Sequence, residues 1–142
     1  MNFNVTNDFE QLNKLYINQN GTGFIENSQD YKVASIKDDM GLAIGDYNND
    51  HHIDIFITAI NENILFYNIG DNTFQNRASE YGIASTGWDW CTKFADFDLD
   101  GDEDLEIANG FDFASLNEEE NVYYRNDNNI TNQVNLLELQ LV

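Results

Sequence analysis

The sequence predicts an all-β fold assembled from four-stranded antiparallel repeats. Two different segments recur with one period of about 50 residues, apolar residues alternate between turn signals, and an Asp-rich loop occupies the same place in successive periods. Gly45 to Phe56 (GDYNNDHHIDIF) aligns with Ala95 to Glu106 (ADFDLDGDEDLE), which sets Asp46 on Asp96, Asp50 on Asp100 and Asp54 on Asp104. The same offset sets Leu15-Tyr16-Ile17-Asn18 on Leu65-Phe66-Tyr67-Asn68 and Gly23-Phe24 on Thr73-Phe74. A third copy of this hairpin start, Tyr123-Tyr124-Arg125-Asn126, arrives about eight residues late, after the acidic insertion Phe113 to Glu120, which a surface loop can absorb.

Within a period, Gly41 to Ile44 reads as a short strand leading into the Asp loop. His52 to Ile60 alternates, with Ile53, Ile55 and Ile57 on one face and Asp54, Phe56 and Thr58 on the other. Asn61-Glu62-Asn63 is a turn, Ile64 to Ile69 a strand, Gly70-Asp71-Asn72 a turn and Thr73 to Arg77 a fourth strand. Four short strands with turns between them make the repeat of a β-propeller blade. Residues 1–39 then hold the outer strands of a partial blade, 40–86 the blade with the first Asp loop, 87–131 the blade with the second, and 132–142 a terminal strand. A closed propeller takes about four to eight blades. The expected architecture is therefore an incomplete propeller or a fragment of one, whose open blade edges invite self-association.

Composition narrows the function. The 142 residues carry 26 Asp and Glu against 6 Lys and Arg, a formal net charge of -20. Phosphate would repel such a chain, which argues against a nucleic-acid binder, and a polybasic membrane-surface module is disfavoured likewise. No apolar run approaches the roughly 20 residues that span a bilayer, so no membrane insertion is expected. The first residues, MNFNVTNDFEQLNK, lack the apolar core of a signal peptide. A single cysteine, Cys91, leaves no intrachain disulfide framework and reads as a small buried hydrophobe.

The acidic excess asks for a counter-charge, and the Asp loops supply a place for one. Asp96-Phe97-Asp98-Leu99-Asp100-Gly101-Asp102-Glu103-Asp104 puts carboxylates at loop positions 1, 3, 5 and 9. Calcium takes six to eight hard oxygens at roughly 2.3–2.6 Å, and alternating acids on a tight loop can aim at one point. Gly101 permits the turn, the backbone carbonyl of Asp102 can serve position 7, and Asp104 closes the shell. The first loop offers Asp46, Asn48, Asp50, the carbonyl of His52 and Asp54, with one formal charge fewer, and His51 replaces the glycine. Two Ca2+ ions are expected, the first loop holding the weaker one. Adjacent side chains of extended chain point apart, so His51 and His52 are not expected to share an ion.

Other readings of the loops fail on spacing. An EF-hand needs Glu at position 12, where Ile57 and Ile107 stand on strand-like flanks. Phe97-Asp98-Leu99-Asp100-Gly101 mimics a phosphatase signature, but Asp102 replaces its Thr and no crossover helices follow. Glycosidase-type paired carboxylates explain the density of acids less well than one metal shell.

These residues resemble the FG-GAP/VCBS-type repeat, the calcium-loop blade of integrin α-like propellers and bacterial surface proteins. The resemblance rests on Gly45 to Asp50 with Ile53 to Phe56, and on Phe94 to Asp102 with Asp104-Leu105 and Ala108-Asn109-Gly110. The hairpins Leu15 to Phe24 and Leu65 to Phe74 match the family's blade hairpin, and Ala78 to Ile83 its link to the next blade. It covers about residues 13 to 126. The chain departs from the family in lacking proline altogether and in carrying His51-His52 within the first loop. Asn135 to Leu141 is loosely similar to the strand that follows the propeller in an ASPIC/UnbV-like branch. The resemblance implies structural support and protein or glycan interaction in an extracellular, cell-surface or periplasmic setting, with no catalytic residues. A polysaccharide-lyase propeller segment or a lectin-like sugar binder is the alternative. The scattered cations Lys14, Lys32, Lys37, Arg77, Lys93 and Arg125 disfavour the lyase, and Trp88 with Trp90, two apart on one strand face, would serve the lectin if they do not pack between blades. The sequons at Asn4, Asn20 and Asn129 are expected by chance in so Asn-rich a chain, and Glu118-Glu119-Glu120 as a solvated loop.

Overall fold

The structure, a computed structural model, describes residues 2–8, 11–60, 62–112, 117–127 and 136–140. Its strands are β1 (Phe3–Val5), β2 (Lys14–Asn18), β3 (Phe24–Glu26), β4 (Asp39–Gly45), β5 (Asp54–Ala59), β6 (Ile64–Asn68), β7 (Phe74–Asn76), β8 (Asp89–Ala95), β9 (Asp104–Asn109), β10 (Phe111–Asp112), β11 (Asn117–Glu118), β12 (Val122–Asn126) and β13 (Leu136–Gln140). The fold is all-β, and no helix occurs among the described residues. No helix there is long and apolar enough to cross a membrane.

The sheets are antiparallel blades in an open stack. The first has the order β1-β2-β3, the second β4-β5-β6-β7 and the third β8-β9-β12-β13, while β10 and β11 pair as a small ribbon off the third. The ribbon flanks residues 113–116 of the acidic insertion, which lie outside the described residues, as do Asn129 to Thr131. β13 pairs along the whole of β12, from Val122 opposite Gln140 to Asn126 opposite Leu136. The second and third sheets share even an irregularity: the register between the first two strands slips between Asp39 and Leu42 in one and between Asp89 and Cys91 in the other.

Two apolar layers join the stack. Leu15 and Val33 pack with Ile55, Ile57, Ile64, Phe66 and Phe74 between the first and second sheets. Ala43, Phe56 and Leu65 pack with Leu105, Ile107 and Tyr124 between the second and third. β5 is therefore buried on both faces along its whole length. Alternation in the sequence predicted a strand with one apolar face and one polar; Asp54 and Thr58 are in fact fully buried beside Phe56. A middle blade has a neighbour on each side, so its polar residues must find partners inside.

Polar ties lock the blades in register. Asn13 Nδ2 donates to Asp39 Oδ2 at 2.5 Å, and Asn63 Nδ2 donates to Asp89 Oδ2, the same pair one period on. Asn63 also donates to the Ile83 carbonyl and accepts from the Ala59 N–H, at 3.2 and 3.0 Å. Each tie fixes the first residue of a blade's innermost strand to the blade before it.

Two expectations are corrected. Cys91 is exposed, because it lies on the side of β8 that no further sheet covers among the described residues. Glu119, placed in a solvated loop by the sequence, accepts a hydrogen bond from the Trp88 N–H. Trp88 lies just before β8, bridged to Ile60, while Trp90 is 50% exposed, with its ring over Gly110.

Candidate metal centre

The two Asp loops connect the innermost strand of each blade to the next, β4 to β5 and β8 to β9. Their backbones bend alike. Asn49 and His51 have φ of 58° and 68°, and Leu99 and Gly101 have φ of 64° and 100°. His51 therefore stands in the left-handed region that glycine occupies in the second loop, at the steric cost of its Cβ.

The acids are held in the same way. Asp46 accepts from the Asp50 and His51 N–H groups at 3.0 and 2.8 Å. Asp96 accepts from the Asp100 and Gly101 N–H groups, both at 3.1 Å. Asp50 Oδ1 accepts from His52 N at 2.8 Å, and Asp100 Oδ1 from Asp102 N at 3.0 Å. The closing acids are anchored by the third strand of the blade, Asp54 Oδ1 by Asn68 N at 2.7 Å and Asp104 Oδ1 by Asn126 N at 2.8 Å. These paired bonds align Tyr123 to Asn126 with Leu65 to Asn68, as the sequence repeat predicts.

In the second loop, Asp96, Asp98 and Asp104 each bring an oxygen within 4.8 Å of the others. Partial burial, then the charges of Asp100 and Asp104, hold the Asp98 carboxyl above its usual range. Arg125 Nε lies 3.9 Å from Asp98 Oδ2, its guanidinium tied to Asp127 at 2.6 Å. Asp104 Oδ2 accepts from Tyr123 OH at 2.7 Å and Phe97 N at 3.0 Å.

The first loop balances its charge differently. Asn48 replaces one acid and donates to Asp50 Oδ2 at 2.8 Å, where Tyr67 OH also donates at 3.2 Å. Burial pushes the Asp50 carboxyl up, but Asn48, the His52 N–H and Tyr67 outweigh it, so its pKa lies below the usual value. Asp54 has no such relief. It is fully buried, and its Oδ2 has no hydrogen-bond partner among the described residues. Burial, with the charges of Asp50 and Asp46 added, pushes its pKa up to about 7 against the pull of the Asn68 N–H. His51 Nδ1 approaches Asp46 and His52 Nδ1 approaches Asp50, at 3.8 and 3.2 Å, so the two imidazoles serve different carboxylates.

An acidic cluster and a buried carboxylate oxygen without a donor both fit a hard cation. Asp96, Asp98 and Asp104 form a cluster that can hold a metal ion. A family model described as an FG-GAP-like repeat matches residues 46–105. Residues 46–105 are therefore similar to an FG-GAP-type repeat. The ends of the match coincide with the first acid of one loop and the residue after the last acid of the other. No curated protein matches the chain.

The matched segment also has its two loops joined to each other, with Asn126 of β12 tied in. Asn49 Nδ2 donates to Asp102 Oδ1, and Asn126 Nδ2 to the Tyr47 carbonyl. Glu103 accepts from the Asp46 N–H, and burial, ahead of the Asp46 charge, raises its pKa. A Cβ at Gly45 would collide with the Glu103 carboxylate. The side chains of Asp102 and Glu103 thus serve the neighbouring loop, a role that sequence reasoning missed. Its only trace in the sequence is Gly45, which stands where the second loop has Ala95.

Proposed function

We propose that the chain is a calcium-binding repeat module that gives structural support and presents a surface to a protein or glycan in an extracellular, cell-surface or periplasmic setting. The observation that carries this reading is the approach of Asp96, Asp98 and Asp104 oxygens within 4.8 Å of one another. The donorless, buried Oδ2 of Asp54 supports it in the first loop. Asp96, Asp98, Asp100, Asp104 and the Asp102 carbonyl would hold one ion, and Asp46, Asn48, Asp50, Asp54 and the His52 carbonyl the other. Bound calcium supplies positive charge to carboxylates that otherwise repel, and external calcium suits sites with Kd of about 10⁻⁴–10⁻³ M. The role is one of binding and support, without catalysis.

Thermal unfolding with calcium and with chelator tests the reading. Calcium should raise the midpoint of the wild type, by about 2.7 kcal/mol of stability at a hundredfold excess over Kd. Asp98→Ala should lose more of that gain than Asn48→Ala. A wild-type midpoint indifferent to calcium removes the proposal.

A lectin-like role is the second reading, favoured by the 50% exposure of Trp90. Its indole could stack on a sugar face. Glycan-array binding that disappears in Trp90→Ala would move the function to sugar recognition.

A further inference from the structure

Each blade has one face toward the preceding repeat and one toward the following repeat, and the two full blades differ on the second. Across β4, β5 and β6, the following-side face of the second sheet places Ala43 beside Phe56 and Phe56 beside Leu65. The third sheet covers them, leaving them 6%, 0% and 0% exposed. In the third sheet the same registers hold Lys93, Glu106 and Tyr123. One position further along the face, Tyr67 gives way to Arg125.

The change is confined to that face. On the preceding side, Ile55, Ile57 and Phe66 of the second sheet correspond to Leu105, Ile107 and Tyr124 of the third, and these remain apolar and buried. On the following side Lys93 is exposed and Glu106 and Arg125 are partly so. Tyr123 is covered locally, by the Phe97 ring at 5.8 Å and through its bond to Asp104. Another sheet laid here would have to strip water from the charged groups of Lys93, Glu106 and Arg125, a cost that apolar contact does not repay, whereas Lys93 and Glu106 directly opposite suit an open face. Stacked repeats end in blades whose outer face is polar.

We propose that the outer face of the third sheet is a capping face: it ends the apolar stack of the described blades, faces solvent, and does not stack on a second copy of this chain. The inference is independent of the calcium reading. It confines self-association of the chain to its strand edges and to the first-sheet side.

Cys91, exposed on β8 next to this face, is the reporter. Its rate of modification by a maleimide is measured on the full chain from low to high protein concentration, alongside mass by sedimentation. High salt is used so that the -20 charge does not by itself keep copies apart. The expected rate is constant, whether the mass stays that of one chain or rises through edge contacts. A rate that falls several-fold as mass rises overturns the proposal. Lys93→Ala/Glu106→Phe gives the face its second-sheet composition and should associate with Cys91 becoming protected. A folded variant that stays monomeric with Cys91 reactive overturns the role given to these two side chains, and if the variant fails to fold, the wild-type rate decides.

Discussion

Asp54 carries the sharpest prediction at the scale of single residues. A carboxylate oxygen that is fully buried without a donor opposes folding until a cation or a proton meets it. Asp54→Asn keeps the acceptor for Asn68 N and removes the charge. Without metal at neutral pH the variant should be more stable than wild type, on the order of a few kcal/mol, and it should forfeit most of the calcium gain in the first loop. Wild-type and variant melting curves that cross between chelator and calcium would bear this out. His51 is a second local case. With φ at 68°, His51→Gly should relieve about 1 kcal/mol of left-handed strain, less the entropy that glycine loses on folding; urea denaturation without metal measures it. The left-handed turn at residue 51 was legible because Gly101 stands at the matching place. The unmet oxygen of Asp54 was not, because the sequence gives Asp54 and Asp104 the same spacing. Only the structure supplies Asp104 with Tyr123 OH and Phe97 N and denies Asp54 the equivalents.

At the scale of strands and their joints, the Asn–Asp ties matter most. Asp89 is buried, its Oδ1 has no partner among the described residues, and burial raises its pKa against the donors Thr86 and Asn63. A carboxyl whose pKa is higher in the folded chain adds stability below the unfolded value of about 3.9 and loses it as pH climbs through the raised one. Asp89→Asn should therefore flatten the fall in stability above about pH 4, read as denaturation midpoints across pH. Asn63→Ala should cost about 1–3 kcal/mol, because it takes one of two side-chain donors from Asp89 and leaves the Ala59 N–H without its acceptor. Strand positions were readable from alternation and turn residues, and β4 to β7 fall where the pattern placed them within a residue or two. The burial of both faces of β5 was not, since periodicity reports the faces of a strand and not how many sheets lie against them. The Asn13–Asp39 and Asn63–Asp89 pairs share the period of the Asp loops, yet neither partner looks chemical by itself.

For the whole molecule, charge is the first concern. With -20 to disperse, the chain should gain stability from sodium chloride by screening. Calcium at the same ionic strength should exceed that gain, and magnesium, which demands tighter octahedral geometry, should fall short of calcium. Melting temperatures in the three salts separate general screening from a shaped site. The stack of blades was foreseeable from the repeat, but the joining of its two loops was not: Asp102 and Glu103 read as members of their own loop until their partners, more than fifty positions earlier in the chain, are seen. The interblade ties have a further consequence. Asn13 to Asp39 and Asn63 to Asp89 each span 26 positions. A closure so short can form as soon as the next innermost strand leaves the ribosome, before any later blade exists. Assembly can thus proceed during synthesis from the amino terminus onward, each finished blade serving as the template on which its successor settles.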